Sequence, residues 1–289
     1  MEQIDRDKVV CRLRNEPLIE HEFSLPMLAD SLWASKGRAL FYGTGLCNTH
    51  CLTVGVPFDT LAMVLVAQKL RLMLGLSEII HHIADTHALC NFPQEKEDVS
   101  KKAEEVEATM KIVISRLGLR DFVVLRSSSF DASSGYATLM SSTNGGDGEY
   151  SQRELTDMLW YQKNHNVVLK LGWASQGFDF DERWYDNRFV SCFGRIMSFA
   201  YTKSGRSFSR KAVPYIATTE DDRIFLRPGE RVQAKFDHAS KHIKKNVISG
   251  AVNYFASICR LYDSLKLGEP LSRGSVPQKV QQIIDRIFE

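Results

Sequence analysis

The strongest constraint on this chain is a stretch in which the spacing of apolar residues changes from strand to helix and back. "KGRALFYG" (36–43) is a short apolar run between a basic start and a glycine, the pattern of a buried strand. "FDTLAMVLVAQKLRLMLGL" (58–76) is apolar on nearly every side and opens with Asp59-Thr60, so it reads as a buried helix. "EIIHHIADTHAL" (78–89) returns to a β-branched strand that ends in polar residues. A strand, loop, helix and strand in that order favours a parallel sheet, with ligands at the carboxyl ends of its strands.

The alternation continues. "PQEKEDVSKKAEEVEATMKIVISRLGL" (93–119) is an amphipathic helix, opened by Pro93 and acids and closed by Gly118. "RDFVVLRSSSF" (120–130) is the next strand, with serines at its carboxyl end. Residues 131–150, rich in Gly, Ser and Asn, read as a flexible loop. "SQRELTDMLWYQKNHNVVLKLGWA" (151–174) starts with a Ser-x-x-Glu capping box and is expected to be helical throughout. A further helix is expected over 181–205, then late strands in "AVPYIAT" and "DRIFLRPGERVQAKF", and a helical tail. No internal repeat is visible. The expectation is one Rossmann-like α/β domain, its core over 36–235 and a helical segment over 239–289.

Charge narrows the functional classes only a little. Thirty-seven basic residues against 35 acidic ones leave +2, so nucleic-acid contact would need a local patch. "RSFSRK" (206–211) and "KHIKK" (241–245) are the two basic groups; each is a solvated face or a set of phosphate contacts, through Arg206, Arg210 and Lys211 or Lys241, Lys244 and Lys245. The first residues are charged throughout, and no apolar run reaches the roughly 18 residues of a membrane span. Six scattered cysteines read as reduced thiols, so a cytoplasmic protein is expected.

Three constellations carry candidate chemistry. "CNTHC" (47–51) has one Cys-x3-Cys around His50 and no second ligand pair nearby, so no metal is expected there. In "ADTHA" (84–88), Asp85, Thr86 and His87 fall where a parallel strand gives way to a loop; the competing reading is an Asp that caps the following helix. In "DFDERWYDNRF" (179–189), Asp179, Asp181, Glu182 and Asp186 surround Trp184 and Tyr185, which suits either a helix N-terminus or a pocket for a cation such as a guanidinium.

The order of these phrases resembles the catalytic domain of tyrosyl- and tryptophanyl-tRNA synthetases over about residues 36–215. The likeness runs through "ALFYG", the buried helix, "EIIHHIADTHAL", the helix ending "ISRLGL", "DFVVLRSSSF" and "ELTDMLWYQKNHNVVLKLGWA". The ATP-binding His-Ile-Gly-His motif of those enzymes should fall at Thr53-Val54-Gly55-Val56, where only the glycine is kept. Their Lys-Met-Ser-Lys-Ser motif has no clear counterpart. The cyclodipeptide synthases keep such a fold without either ATP motif, and "GTGLCNT" (43–49) with "ADTHA" is similar to their site phrases.

That resemblance implies a tRNA-dependent aminoacyltransferase that builds a diketopiperazine through an aminoacyl-enzyme. The partners implied are charged tRNAs; no cofactor, metal or membrane is implied. The family's serine falls on or beside Gly45, leaving Thr44, Thr49 and Cys47 as acyl acceptors. Glu182, Tyr185 and Tyr215 are the implied proton-handling or amino-binding groups, and Tyr42, Gly43, Gly45, Asp85 and His87 line the substrate site. Absence of the family's Tyr-x-x-x-Glu-x-Pro segment points to a divergent branch, such as the fungal arginine-containing synthases; Asp179, Asp181 and Asp186 suit an arginyl side chain. Two alternatives stay open: an ATP-dependent ligase with a degenerate motif, and a silent synthetase-like tRNA-binding protein.

Overall fold

The computed structural model describes residues 11, 39–44, 56–91, 96–143, 152–165, 167–171, 225–226 and 259–289. In chain order these hold strand β1 (Ala39–Thr44), the two-residue strand β2 (Val56–Pro57), helix α1 (Phe58–Leu74), β3 (Glu78–Ile83), α2 (Asp85–Asn91) and α3 (Lys96–Arg116). They continue with β4 (Phe122–Arg126), a 3-10 turn (Ser127–Ser129), α4 (Ser134–Ser142), α5 (Gln152–His165), β5 (Val167–Leu171), β6 (Phe225–Leu226) and α6 (Val276–Phe288).

Four strands form one parallel sheet in the order β4-β3-β1-β5. Each connection between parallel neighbours carries at least one helix, as a parallel crossover requires. The chain therefore builds outward from β1 through β3 to β4, then returns to add β5 on the other side of β1. This reversal makes the gap between the carboxyl ends of β1 and β5 a topological switch point, where open α/β sheets have a crevice. β2 and β6 pair separately and antiparallel, Val56 opposite Leu226.

Strand alternation sorts the side chains onto two faces. Leu40, Tyr42, Ile79 and Ile83 join one core with the inward faces of α1 (Leu61, Leu65) and α3 (Val106, Met110, Val113). The same core takes in the helical residues 259–265 and α6, whose Val280, Ile283, Ile284 and Ile287 stand at helical spacing and are all buried. Ala39, Phe41 and Ile80 point the other way, into a smaller aromatic core with Phe130, Tyr136 of α4 and Tyr161 of α5. Both sheet faces are thus covered, the α/β arrangement expected from sequence.

Three sequence expectations are corrected. The strand read over 78–89 stops at Ile83, and Asp85 begins a helix instead. The loop read over 131–150 contains α4: the Ser133 hydroxyl accepts from the Tyr136 amide at 3.2 Å, and Tyr136 is buried while Met140, one turn on, packs against the same core. The helix read over 151–174 ends at His165, and "VVLKL" is β5, whose β-branched start pairs beside β1. The helix expected over 181–205 and the strand "AVPYIAT" lie outside the described residues. No described helix is long and apolar enough to cross a membrane.

Candidate functional site

The carboxyl edge of the sheet collects polar groups from the ends of three strands. β1 delivers Gly43 and Thr44, β3 delivers His82 and then Asp85, and β4 runs straight into Ser127 and Ser128. Parallel register sets Thr44 opposite Ile83, so Thr44 and Asp85 end neighbouring strands at the same edge.

Asp85 is buried, and its carboxylate ties two strand ends together. Oδ1 accepts from the Thr86 amide at 3.0 Å and from the Ser128 amide at 3.1 Å, while Oδ2 accepts the Ser128 hydroxyl at 2.5 Å. Charge-assisted bonds of this kind are the stronger sort. Asp85 opens α2, as the helix-start reading of "ADTHA" has it, and also clasps the end of β4.

His81 and His82 point to opposite faces. His81 lies in the larger core, where its Nδ1 is 2.7 Å from the hydroxyl of Tyr42. Tyr42 is fully buried, and burial holds its phenol well above the usual range. The structure thus puts the Tyr42 hydroxyl in the core, against His81. His82 enters the aromatic core, its ring 5.5 Å from that of Phe41 and 5.2 Å from that of Tyr161. A Cβ placed on Gly43 would stand 3.4 Å from the His82 ring, so β1 runs close past that imidazole.

Around His82 the described residues supply a connected set of polar contacts. Nδ1 lies 2.7 Å from the Tyr161 hydroxyl; Nε2 lies 3.3 Å from Ser127 Oγ and 3.4 Å from Asp157 Oδ2. Asp157 in turn accepts the Tyr136 hydroxyl at 2.5 Å, and the Ser127 hydroxyl donates to the Ile83 carbonyl at 3.2 Å. Burial, then the Asp157 carboxylate, pushes the phenols of Tyr136 and Tyr161 far up. Both stay protonated donors across the physiological range.

Arg153 extends the set toward solvent, donating to Thr86 Oγ1 at 3.1 Å and pairing with Asp131 at 2.6 Å. Burial raises the Asp131 pKa, and Arg153 only partly offsets it. One arginine thereby links the segments that follow β3 and β4 to the helix that precedes β5.

Of the sequence candidates, Gly43, Thr44 and Asp85 come together at this edge, and His87 lies in α2 beside them. Gly45, Cys47, Thr49, Asp179, Asp181, Glu182, Tyr185, Asp186, Tyr215 and the basic groups at Arg206, Arg210, Lys211, Lys241, Lys244 and Lys245 lie outside the described residues. Among the described residues no cluster of three or more His, Cys, Asp or Glu side chains is arranged to hold a metal. Asp157, Tyr136, Tyr161 and Arg153 are not among the sequence candidates, and His82 enters the sequence reading only as half of a His81-His82 pair that alternates faces on a strand. For the three on α5 the signal is the helical period Arg153, Asp157, Tyr161, polar where a docking face is usually apolar.

No protein-family model matches the chain, and no curated protein matches it.

Proposed function

We propose that the chain is a tRNA-dependent cyclodipeptide synthase, joining two aminoacyl groups from charged tRNAs into a 2,5-diketopiperazine, with arginine as one substrate. The observation that carries the reading is the strand order. Its reversal falls beside β1, so Thr44, the last residue of that strand, ends at the switch point, where such folds bind ligands. The absence of both histidines from Thr53-Val54-Gly55-Val56 supports a reaction without ATP, because Val56 has no side-chain donor for a phosphate.

The chemistry is a series of acyl transfers. A hydroxyl on Thr44 or Thr49 attacks the ester carbonyl of the first aminoacyl-tRNA; the bond to the ribose oxygen breaks, and that oxygen takes a proton. The amine of the bound aminoacyl group attacks the second aminoacyl-tRNA, freeing a second tRNA. The new terminal amine then attacks the enzyme ester, closing the ring and returning the hydroxyl. Glu182, Tyr185 and Tyr215 are the proposed proton carriers and Asp179, Asp181 and Asp186 the guanidinium partners; backbone amides after Gly43 stabilise the oxyanion.

A second reading is favoured by one observation: three donors already occupy the Asp85 carboxylate, as in a site kept for structure alone. On that reading the chain binds tRNA without acyl transfer. Expression in a bacterial host followed by mass spectrometry of the medium separates the two. A new diketopiperazine supports the synthase, and labelled aminoacyl-tRNA should leave an acyl-enzyme that is lost when Thr44 and Thr49 are both changed to Val. Pyrophosphate exchange into ATP that depends on a free amino acid would instead identify an ATP-dependent ligase.

A further inference from the structure

Three serines follow β4, and their hydroxyls have different surroundings. Ser127 is fully buried and gives its hydrogen to the Ile83 carbonyl at 3.2 Å. Ser129 is exposed and donates to the Arg126 carbonyl at 2.6 Å, closing its own turn. Ser128 is exposed as well, but its hydroxyl donates to a carboxylate, Oδ2 of Asp85, at 2.5 Å. Of the three, only Ser128 combines access to solvent with a base within reach.

Parallel register explains the pairing. Arg126 stands opposite Ile83, so the second residue beyond each, Ser128 and Asp85, leave the sheet at the same level. Oδ1 of Asp85 holds the amides of Thr86 and Ser128 at 3.0 and 3.1 Å, which fixes the carboxylate and the serine backbone before any substrate arrives. Asp85 is 3% exposed while Ser128 lies at the surface, so a buried base is reached from outside through that hydroxyl. A clasp kept for structure alone has no need of the hydroxyl, because the two amides already bind Asp85 to both strand ends. Arg153 donates to Thr86 Oγ1 at 3.1 Å and so brings a cation to the same edge.

We propose that Ser128 is a nucleophile with Asp85 as its base, a site that takes acyl groups from small carboxylic esters without tRNA. Ser128 Oγ attacks the ester carbonyl, and its proton passes to Asp85 Oδ2. The tetrahedral adduct collapses, the bond to the alcohol oxygen breaks, and that oxygen takes the proton from Asp85. The acyl group stays behind as an ester on Ser128. Water then attacks this ester, Asp85 takes the water's proton and returns it to Ser128, and a carboxylic acid leaves. The sum is one ester and one water giving one alcohol and one acid. The Arg153 guanidinium is the positive charge available to the oxyanion. A carboxylate is by nature a weaker base than an imidazole, so turnover is slow and the adduct on Ser128 is the species to look for.

Diisopropyl fluorophosphate and p-nitrophenyl acetate, each applied to the full chain, test this. The phosphoryl adduct should map to Ser128 when the peptide after Arg126 is sequenced by fragmentation in a mass spectrometer. It should be absent from the urea-unfolded chain, which has the same serines without the clasp. Acid quenching after p-nitrophenyl acetate should trap an acetyl group on the same residue. Ser128→Ala, at an exposed position, and Asp85→Asn should each cut labelling of that peptide about a hundredfold, while Ser129→Ala should leave it within about twofold. An adduct on any other residue, labelling that survives Ser128→Ala or a folded Asp85→Asn, or no labelling of the folded chain overturns the proposal. If Asp85→Asn does not fold, the position of the adduct and Ser128→Ala decide. Neither probe contains tRNA or an amino acid, so this result and that of the synthase reading are separate.

Discussion

Asp157 serves two neighbours with one carboxylate, taking the Tyr136 hydroxyl on one oxygen and facing His82 Nε2 with the other. Replacing it with alanine leaves a buried phenol without an acceptor and weakens the hold on His82. Asp157→Ala should therefore lower unfolding free energy by about 2 kcal/mol in urea titration, and Asp157→Asn, which keeps an acceptor, by less. Cys259 shows burial acting on reactivity rather than stability. Burial in the larger core pushes its thiol up to about 11, with Lys279 opposing only partly. Since the thiolate is the nucleophile, Cys259 in the native protein should react with a disulfide reagent at pH 8 about a hundredfold more slowly than in the urea-unfolded chain, read by mass spectrometry of the labelled peptide.

At the level of elements, α1 and α3 end in the same way. Gly75 and Gly118 both have φ of 67°, and the amides of Leu76 and Leu119 reach back to the carbonyls of Arg71 and Ile114 at 3.0 Å. An L side chain is strained at that φ, so Gly118→Ala should cost about 1 kcal/mol, visible as a lower Tm, although a Cβ there meets no neighbour within 4 Å. The end of α3 was legible, because a glycine after an apolar helical run is a local signal, whereas the helix read over 58–76 ran past Gly75 and α1 stops at Leu74. The misses were of another kind. α4 hides in a run of Ser, Thr and Gly whose helical state depends on Tyr136 and Met140 finding Phe130 and Tyr161 across the chain. β5 reads as a continuation of α5 until β1 is present to pair with it. Asp85 was legible as a residue at a strand end, but its clasp on Ser128 was not, since the partner lies on a different strand. The resemblance places Tyr42 in the substrate site, yet strand alternation turns its hydroxyl to His81.

Across the whole molecule, Tyr42, Tyr136 and Tyr161 make stability sensitive to alkali. Burial holds each phenol above its ordinary range, with Asp157 adding to the effect at Tyr136 and Tyr161. A phenol whose pKa is higher folded than unfolded contributes fully below about pH 10 and loses that contribution as pH rises further. Unfolding free energy should fall above about pH 10 by about 1.4 kcal/mol per pH unit for each such tyrosine, and the slope in urea titrations should lessen in Tyr136→Phe.

The packing of α6 also bears on how the chain is made. Ile283, Ile284 and Ile287 share one core with α1 and α3, so the sheet's larger face is covered by segments translated far apart in time. While β1 through β5 have emerged from the ribosome and α6 has not, the surface of α3 that α6 will cover stays open to water. The nascent sheet can pair its strands in that interval but cannot bury its main core, which makes closure a late, long-range step and leaves the intermediate a natural client for chaperones.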